Sequence, residues 1–335
     1  MNADWHIFKG RSKEQTEQAY TPRKEAIDSL PEPPKWRDFG KQHSTDETER
    51  VTKKQRRGAT FFPSEDEKAM VNAALYLRRP LLVTGRPGTG KTSLAYAVAY
   101  ELDLGEVLYW PITTRTTLKD GLYSYDAIGR IQDFQLRENK EDRIGDYIRL
   151  GPLGTAFLEN EDKKPRVLLV DEIDKSDIDL PNDLLHIFED GEFSIPELER
   201  FAGDDVYVKT AYRDEAESTF EEKVKIIKGR VRCQQFPFVI LTSNGEREFP
   251  PAFLRRCLRL DIQQPTEERL RQIVEAQLDP SLLEKANDLI VEFLKRRDIQ
   301  GEFLTTDQLL HAVYLITKEK APDSIKEKLF QNLDK

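Results

Sequence analysis

Short apolar runs alternate with helical patterns between about residue 61 and residue 262. After Pro63, apolar residues recur at Met70, Ala73, Ala74 and Leu77, which is the spacing of one helix face. Ser64, with Glu67 three residues later, predicts a capping box at the start of that helix. Five apolar runs predict strands, namely LLV from residue 81, EVLYWPIT at 106–113, RVLLVD at 166–171, PFVILTSN at 237–244 and LRLDI at 258–262. This alternation predicts an α/β fold with a parallel sheet.

Two stretches interrupt this alternation. Residues from about 116 to 150 mix helical and extended signals. Residues from about 193 to 235 hold two extended pieces around a long charged stretch, which predicts a hairpin with an insertion that we expect to be mobile. Asp179 or Pro181 can start a helix between these stretches, and Gly191 can end it.

The two ends of the chain differ from this central region. From Thr266 onward, four apolar-periodic segments predict a small helical domain over residues 266–335. Residues 1–57 are polar, charged and punctuated by prolines, without a sustained period. This composition predicts an extended or disordered tail.

Composition narrows the classes of protein that fit. The chain has 335 residues and a net charge of −9, which argues against a protein whose main role is to coat nucleic acid, although a local basic channel stays possible. Cys233 and Cys257 lack metal-binding spacing, which favours two reduced thiols in a cytosolic protein. No run predicts a signal peptide or a membrane span. We therefore expect a cytoplasmic protein with no membrane partner.

The run GRPGTGKT from Gly85 to Thr92 fits the pattern G-x-x-x-x-G-K-[ST] between a predicted strand and a predicted helix. Glycines let backbone N–H groups approach phosphate oxygens, and the helix N-terminus adds its positive dipole end. Lys91 should reach the β- and γ-phosphates, and the Thr92 hydroxyl is placed to ligate Mg²⁺. The alternative is a turn without a ligand. The predicted nucleotide-binding residues are Gly85, Arg86, Pro87, Gly88, Thr89, Gly90, Lys91, Thr92 and Ser93.

Polar residues end two other predicted strands. In parallel sheets, ligands bind at the carboxyl ends of strands, so these residues should lie near the phosphate loop. Asp171 would hold Mg²⁺, and Glu172 would orient the attacking water or take its proton. Asn244 can hydrogen-bond that water or the γ-phosphate. The alternative for each is an ordinary polar strand end or turn cap.

Arg255 and Arg256 follow PPAFL, after the strand that ends near Asn244. A guanidinium from a neighbouring subunit can stabilise the charge that develops during phosphoryl transfer. A surface pair at a helix end, where a cation complements the dipole, explains them equally well.

With these motifs in this order, the chain resembles the AAA+ ATPases and, within them, the MoxR family. The matching runs are GRPGTGKT, VLLVDEIDKSD, FVILTSNGEREFPPAFLRRC, LPNDLLHIFEDGEFSIPEL and GPLG. The resemblance implies an αβα nucleotide-binding core with a parallel sheet over residues 58–265 and a small helical lid over 266–335. It also implies that 116–150 is an insert in the second helix and that 193–235 is a lengthened hairpin.

The same resemblance assigns roles to single residues. Asn244 takes the sensor 1 role, and Arg256 looks like the arginine finger, with Arg255 as the second candidate. One of Tyr123, Tyr125 and Phe134 would face a ring pore and contact a client, unless these aromatics pack in the core.

One position departs from the family pattern. Many relatives carry a sensor 2 arginine where this chain has Asp307. Either another cation, such as Arg296 or Arg297, substitutes for it, or the lid couples only weakly to the nucleotide.

The resemblance implies ATP and Mg²⁺ as ligands, a homo-oligomeric ring that is a hexamer, and an unidentified client or adaptor protein that the ring remodels. A slow-turnover nucleotide switch within a larger regulatory complex is the main alternative. A nucleic-acid motor is a weaker one, and nothing in the phosphate loop separates ATP from GTP.

Overall fold

The structure is a computed structural model that describes residue 34 and residues 58–136, 143–158, 163–201, 205–212, 223–277, 283–317 and 325–332. The tail predicted over residues 1–57 therefore lies outside the described residues, apart from Pro34. The chain divides into two compact units, one of residues 57–264 and one that contains residues 265–335. Within the described residues, no helix combines the length and apolar character that crossing a membrane requires.

The strands are β1 (Leu81–Thr84), β2 (Leu108–Pro111), β3 (Tyr123–Tyr125), β4 (Ile148–Leu150), β5 (Val167–Asp171), β6 (Glu192–Ser194), β7 (Asp205–Lys209), β8 (Lys223–Ile227), β9 (Arg230–Arg232), β10 (Phe238–Ser243) and β11 (Leu258–Asp261). The helices are α1 (Glu65–Leu77), α2 (Lys91–Glu101), α3 (Leu118–Leu122), α4 (Ala127–Leu136), α5 (Pro152–Ala156), α6 (Leu180–Asp190), α7 (Pro196–Glu199), α8 (Pro251–Arg256), α9 (Glu267–Gln277), α10 (Leu283–Leu294), α11 (Thr306–Thr317) and α12 (Lys326–Leu329).

Five strands form a sheet in the order β11-β1-β10-β5-β2, and each neighbouring pair is parallel. Alternate residues of these strands face opposite sides of the sheet. Leu81 and Val83 pack with residues of α1 and α2, whereas Leu82 belongs to a core that includes residues of α5, α6 and α8. The predicted α/β fold, with a parallel sheet between helical layers, is confirmed.

A second sheet joins the two stretches that interrupt the alternation. Its order is β3-β4-β7-β8-β9-β6, and β4 meets β7 at Arg149 and Lys209. The expectation that the charged stretch inside 193–235 is a mobile insertion is wrong for its described part, because β7 and β8 pair from Asp205 with Ile227 to Lys209 with Lys223. Charged residues on the outer positions of these strands obscure the period-2 pattern in the sequence.

Local sequence signals are confirmed at several element ends. Ser64 caps α1 and forms the predicted capping box with Glu67. Helix α6 begins after Asp179 and ends at Gly191, whose φ of 62° suits a residue without a side chain. In the GPLG run, a Cβ on Gly154 would lie 2.0 Å from the carbonyl oxygen of Leu122, so this close backbone packing requires glycine.

The second unit contains α9, α10, α11 and α12, in agreement with the helical pattern. Its apolar core is formed by Leu270, Val274, Phe293, Leu309, Val313 and Phe330. Helix α10 continues into a π-turn over Lys295–Ile299.

Candidate active site

The phosphate loop connects β1 to α2, as predicted. Its three glycines have positive φ values of 146° at Gly85, 79° at Gly88 and 95° at Gly90. A Cβ on Gly85 would lie 2.5 Å from the carbonyl oxygen of Ile262, and a Cβ on Gly90 would lie 3.1 Å from the Phe61 ring. Backbone conformation and space both therefore require glycine at Gly85 and Gly90.

Lys91 opens α2 and is buried, at 7% exposure. Its ammonium donates to the carbonyl oxygens of Gly85 (2.7 Å) and Arg86 (2.9 Å), so the side chain folds back over the loop. Burial lowers the pKa of Lys91, and nearby carboxylates, led by Asp174 and Asp171, partly offset that effect. A cation therefore lies beside the backbone amides that would receive a phosphate.

The other predicted loop residues have different environments. Arg86, Pro87 and Gly88 are exposed, whereas Thr89 is buried and its hydroxyl donates to the carbonyl of Arg86 (2.9 Å). Ser93 is partly exposed in the first turn of α2, where its backbone N–H donates to Gly90.

Asp171 ends β5 and accepts hydrogen bonds from three hydroxyl groups. Thr92 (3.0 Å) and Thr242 (2.6 Å) donate to its Oδ1, and Tyr109 (3.1 Å) donates to its Oδ2. These contacts connect the end of β5 to α2, β10 and β2. Sequence analysis missed Tyr109 and Thr242. Burial, followed by the charge of Asp171, raises the pKa of Tyr109 to about 12, which keeps this hydroxyl a donor near neutral pH.

The oxygen atoms of Thr92 and Asp171 suit Mg²⁺. Their separation of 3.0 Å brings a hydroxyl and a carboxylate to one point, and Mg²⁺ takes oxygen ligands while usually keeping waters and substrate phosphates in its shell. Within the described residues, no group of three or more His, Cys, Asp or Glu side chains forms an all-protein metal site. The donor set therefore fits a metal ion held jointly with a phosphate.

Glu172 and Asn244, predicted separately, lie in contact. The amide nitrogen of Asn244 donates to Oε1 of Glu172 (3.3 Å), and the Lys175 ammonium donates to Oε2 (2.6 Å). Glu172 has a left-handed backbone, with φ of 61°, and its N–H donates to the Thr242 hydroxyl (2.9 Å). Both carboxylate oxygens therefore have a donor within the chain.

Asp174 ties the end of β10 to the turn after β5. Its Oδ2 accepts the backbone N–H groups of Asn244 (2.9 Å) and Glu246 (3.1 Å), and the residue is 3% exposed. Its Oδ1 is buried without a hydrogen-bond partner among the described residues. Sequence analysis missed this residue and Lys175, although both stand in the quoted run DEIDKSD.

The two arginines lie at the other end of the sheet. Strands β1 and β11 run parallel from Leu81 beside Leu258 to Thr84 beside Asp261. The phosphate loop follows Thr84, whereas the arginines precede Leu258, so about 10–13 Å of strand separates the two positions. The structure does not bring Arg255 or Arg256 to the nucleotide site of its own chain.

The two arginines differ in their contacts. Arg256 forms an ion pair with Glu189 of α6. The guanidinium of Arg255 is exposed and has no partner among the described residues. Arg79 bonds to the backbone carbonyls of both arginines and so fixes this end of α8.

In the second unit, Arg296 bonds to Glu292 and Glu327, and Arg297 bonds to the carbonyl of Pro265 and to Asp298. Both guanidiniums are occupied within their own unit, which gives no support to either as a replacement for the missing sensor 2 arginine. Asp307 lies in the first turn of α11, where an acidic side chain complements the helix dipole.

The match to a known protein family agrees with this geometry. The AAA domain (dynein-related subfamily) matches residues 80–257, which is more than half of the chain and includes every strand of the parallel sheet except β11. A solved structure from Cytophaga hutchinsonii, described as a "putative ATPase", is similar at 11% identity and a TM-score of 0.39, covering 79% of this chain and 72% of that chain. No curated protein matches the sequence. The chain therefore belongs to the dynein-related subfamily of AAA domains and carries the nucleotide-binding core of an AAA+ ATPase.

Proposed function

We propose that this protein is a Mg²⁺-dependent ATPase of MoxR type that assembles as a homo-oligomeric ring, a hexamer, and remodels or activates a partner protein. One observation carries the ATPase assignment. Lys91, Thr92, Asp171, Glu172 and Asn244 come from three neighbouring strand ends and converge at one edge of the parallel sheet.

Each of these residues has a chemical role. Lys91 and the loop amides bind the phosphates, and Thr92 and Asp171 hold Mg²⁺, which neutralises phosphate charge when bound. The Glu172 carboxylate orients the attacking water and accepts its proton. Asn244 fixes that carboxylate through its amide, and can donate to the γ-phosphate with its second N–H.

The positions of Arg255 and Arg256 support a ring. They end α8 and precede β11, at the opposite end of the sheet from the phosphate loop of their own chain, whereas a neighbouring copy can accept them at its phosphate site. Because the side chain of Arg255 is unpaired among the described residues and Arg256 is paired with Glu189, we place Arg255 ahead of Arg256 as the trans-acting arginine.

Helix α4 supports a role in binding a partner protein. Its charged residues point inward, since Arg130 donates to the hydroxyl of Tyr125 (2.9 Å) and Asp133 accepts from Tyr147 (2.7 Å). Its apolar residues face outward, with Ile128, Ile131 and Phe134 exposed at 70%, 59% and 48%. Apolar surface of this kind marks an interaction site. Tyr123 is instead buried and bonds to Glu197, so it is a core residue.

We expect Phe134→Ser to abolish stimulation of ATP turnover by a partner while leaving basal turnover unchanged, because the side chain is exposed and takes no part in the contacts of the nucleotide site. Reduced, carboxymethylated α-lactalbumin, a permanently unfolded protein, serves as the probe. Tyr76→Ser is the matched control, since Tyr76 is an exposed aromatic on α1. Equal stimulation of both variants would remove α4 from the proposed partner site.

Glu172→Gln tests the ATPase mechanism. The amide keeps the shape of the side chain but cannot accept a proton, so we expect turnover to fall about 100-fold while ATP binding is retained. Turnover is measured by phosphate release, and binding by retention of labelled ATP. Unchanged turnover in Glu172→Gln would remove Glu172 from the mechanism.

A nucleotide switch is the second candidate, favoured by Asp307 at the position where many relatives carry a sensor 2 arginine. A wild-type protein that keeps one ATP bound without turnover would support the switch.

Binding to DNA or RNA that weakens steeply with salt would support a nucleic-acid motor. Competition between ATP and GTP decides the base preference.

A further inference from the structure

The Glu172 carboxylate depends on Lys175, a residue to which neither the motif pattern nor the proposed mechanism gives a role. We infer that Lys175 is a positioning residue that holds Glu172 for the attack of water, an inference that rests on the proposed ATPase function. Its evidence is the contact between the Lys175 ammonium and Oε2 of Glu172 at 2.6 Å.

The local backbone fixes Lys175 opposite Glu172. A 3₁₀ turn over Ile173–Lys175 follows Glu172, and the N–H of Lys175 donates to the carbonyl of Glu172 (2.9 Å). The side chains are therefore three residues apart across one closed turn. Hydrogen bonding to Glu172 raises the pKa of Lys175, so the group that holds the carboxylate is an ammonium at neutral pH.

The second oxygen of Glu172 is held from the neighbouring strand. Asn244 donates to Oε1, and the turn that carries Asn244 is fixed because Asp174 accepts its backbone N–H. Asp174 is buried, so losing these hydrogen bonds to its Oδ2 would be costly. Lys175 thus donates a hydrogen bond to one oxygen of the Glu172 carboxylate, and Asn244 donates to the other.

The hydrogen bonds from Lys175 and Asn244 leave Glu172 able to bind the attacking water. An ionised carboxylate accepts at about four lone-pair positions, so a water can still bind to Glu172 while both donors remain. The Glu172 backbone lies in the left-handed region, which is uncommon for a residue with a side chain. Each partner of the ion pair is 40% exposed, and such pairs add little to stability. The contact therefore matters for orientation rather than for folding.

The test compares Lys175→Met with Lys175→Arg. We expect the methionine variant to lower kcat for ATP about five-fold, with KM changed by less than about two-fold, because only the orientation of Glu172 is lost. The arginine variant should keep most of kcat, since it retains a cation with donors. Lys225→Met removes a lysine from an ion pair with Asp205 in the second sheet and is the control.

A double-mutant comparison separates positioning from a general structural effect. Single-turnover hydrolysis is measured for Glu172→Gln with and without Lys175→Met. If Lys175 acts through the Glu172 carboxylate, the second substitution causes little further loss. The same five-fold loss in both backgrounds would overturn the inference, as would an unchanged or increased kcat in Lys175→Met alone.

The experiments distinguish failure of the proposed ATPase function from failure of the positioning role of Lys175. If Glu172→Gln loses turnover and Lys175→Met does not, the ATPase assignment stands and the role of Lys175 falls. If the wild type does not hydrolyse ATP, the proposed function and this inference both fall.

Discussion

Lys91→Ala is expected to lower kcat/KM for ATP hydrolysis about 1,000-fold, since loss of even one charge-stabilising donor in an active site costs 100- to 1,000-fold. The ammonium is buried within the phosphate loop, where it bonds only to the carbonyl oxygens of Gly85 and Arg86 in the described structure. Both carbonyl oxygens belong to the loop itself, so a bound phosphate can replace them as the hydrogen-bond acceptor of the Lys91 ammonium. Alanine removes the charge without disturbing a glycine of the loop.

Lys68→Ala is the control for Lys91→Ala. Lys68 is an exposed helix lysine paired with Glu65, and its loss should leave turnover unchanged. Phosphate release and binding of a fluorescent ATP analogue are measured on both variants, with thermal unfolding as a check on folding. Near-wild-type turnover in a folded Lys91→Ala protein would contradict the assignment of the phosphate loop.

Arg255→Ala is expected to lower turnover about 1,000-fold in the assembled protein, in line with the effect of an arginine that stabilises phosphoryl transfer from a second subunit. Arg255 lies in the last turn of α8, before β11 and at the opposite end of the sheet from the phosphate loop, so we do not expect it to act on the nucleotide of its own chain. Arg256→Ala should have a smaller effect, because its guanidinium is already paired with Glu189.

Mixing two inactive variants tests action between subunits. Lys91→Ala has an intact Arg255, and Arg255→Ala has an intact phosphate loop, so mixed assemblies contain complete sites. We expect the mixture to exceed the turnover of either variant alone. No gain in turnover in a mixture shown to co-assemble would contradict action in trans. A larger loss of turnover in Arg256→Ala than in Arg255→Ala would make Arg256 the trans-acting arginine.

The place of the loop from Gly85 to Thr92 between β1 and α2 could be predicted because its requirements are local. The glycines, Lys91 and Thr92 lie in one run of eight residues, and the role proposed for each follows from its own chemistry. Asp171, Glu172 and Asn244 were also predictable, since each ends an apolar strand and parallel strands place their carboxyl ends along one edge. Asn244 indeed contacts Glu172.

The neighbours of these residues could not be predicted, because they depend on strand order and register. Thr242 reaches Asp171 since β10 lies beside β5, and Tyr109 reaches it since β2 lies on the other side. An unaligned sequence does not give that order. Lys175 was visible in the motif, but its contact depends on the turn that follows the left-handed Glu172.

The hairpin predicted from the two extended pieces is present as β6 and β9, but the rest of the second sheet was missed for a similar reason. The strands β4 and β7 are far apart in the chain, and their pairing joins two stretches that looked like independent insertions. The surface lysines and acids of β7 and β8 gave the stretch the composition of a loop, whereas Val206 and Val208 are buried. Composition averaged over the stretch hid the alternation that forms the hairpin.

The most direct test of this account is the turnover and solution mass of the wild-type protein, measured on the same samples with ATP, with ATP and Mg²⁺, and without nucleotide. We expect ATP with Mg²⁺ to give a species of six subunits that releases phosphate, and we expect removal of Mg²⁺ with EDTA to stop hydrolysis. A protein that stays monomeric and keeps its ATP unhydrolysed would contradict these expectations and favour the nucleotide switch.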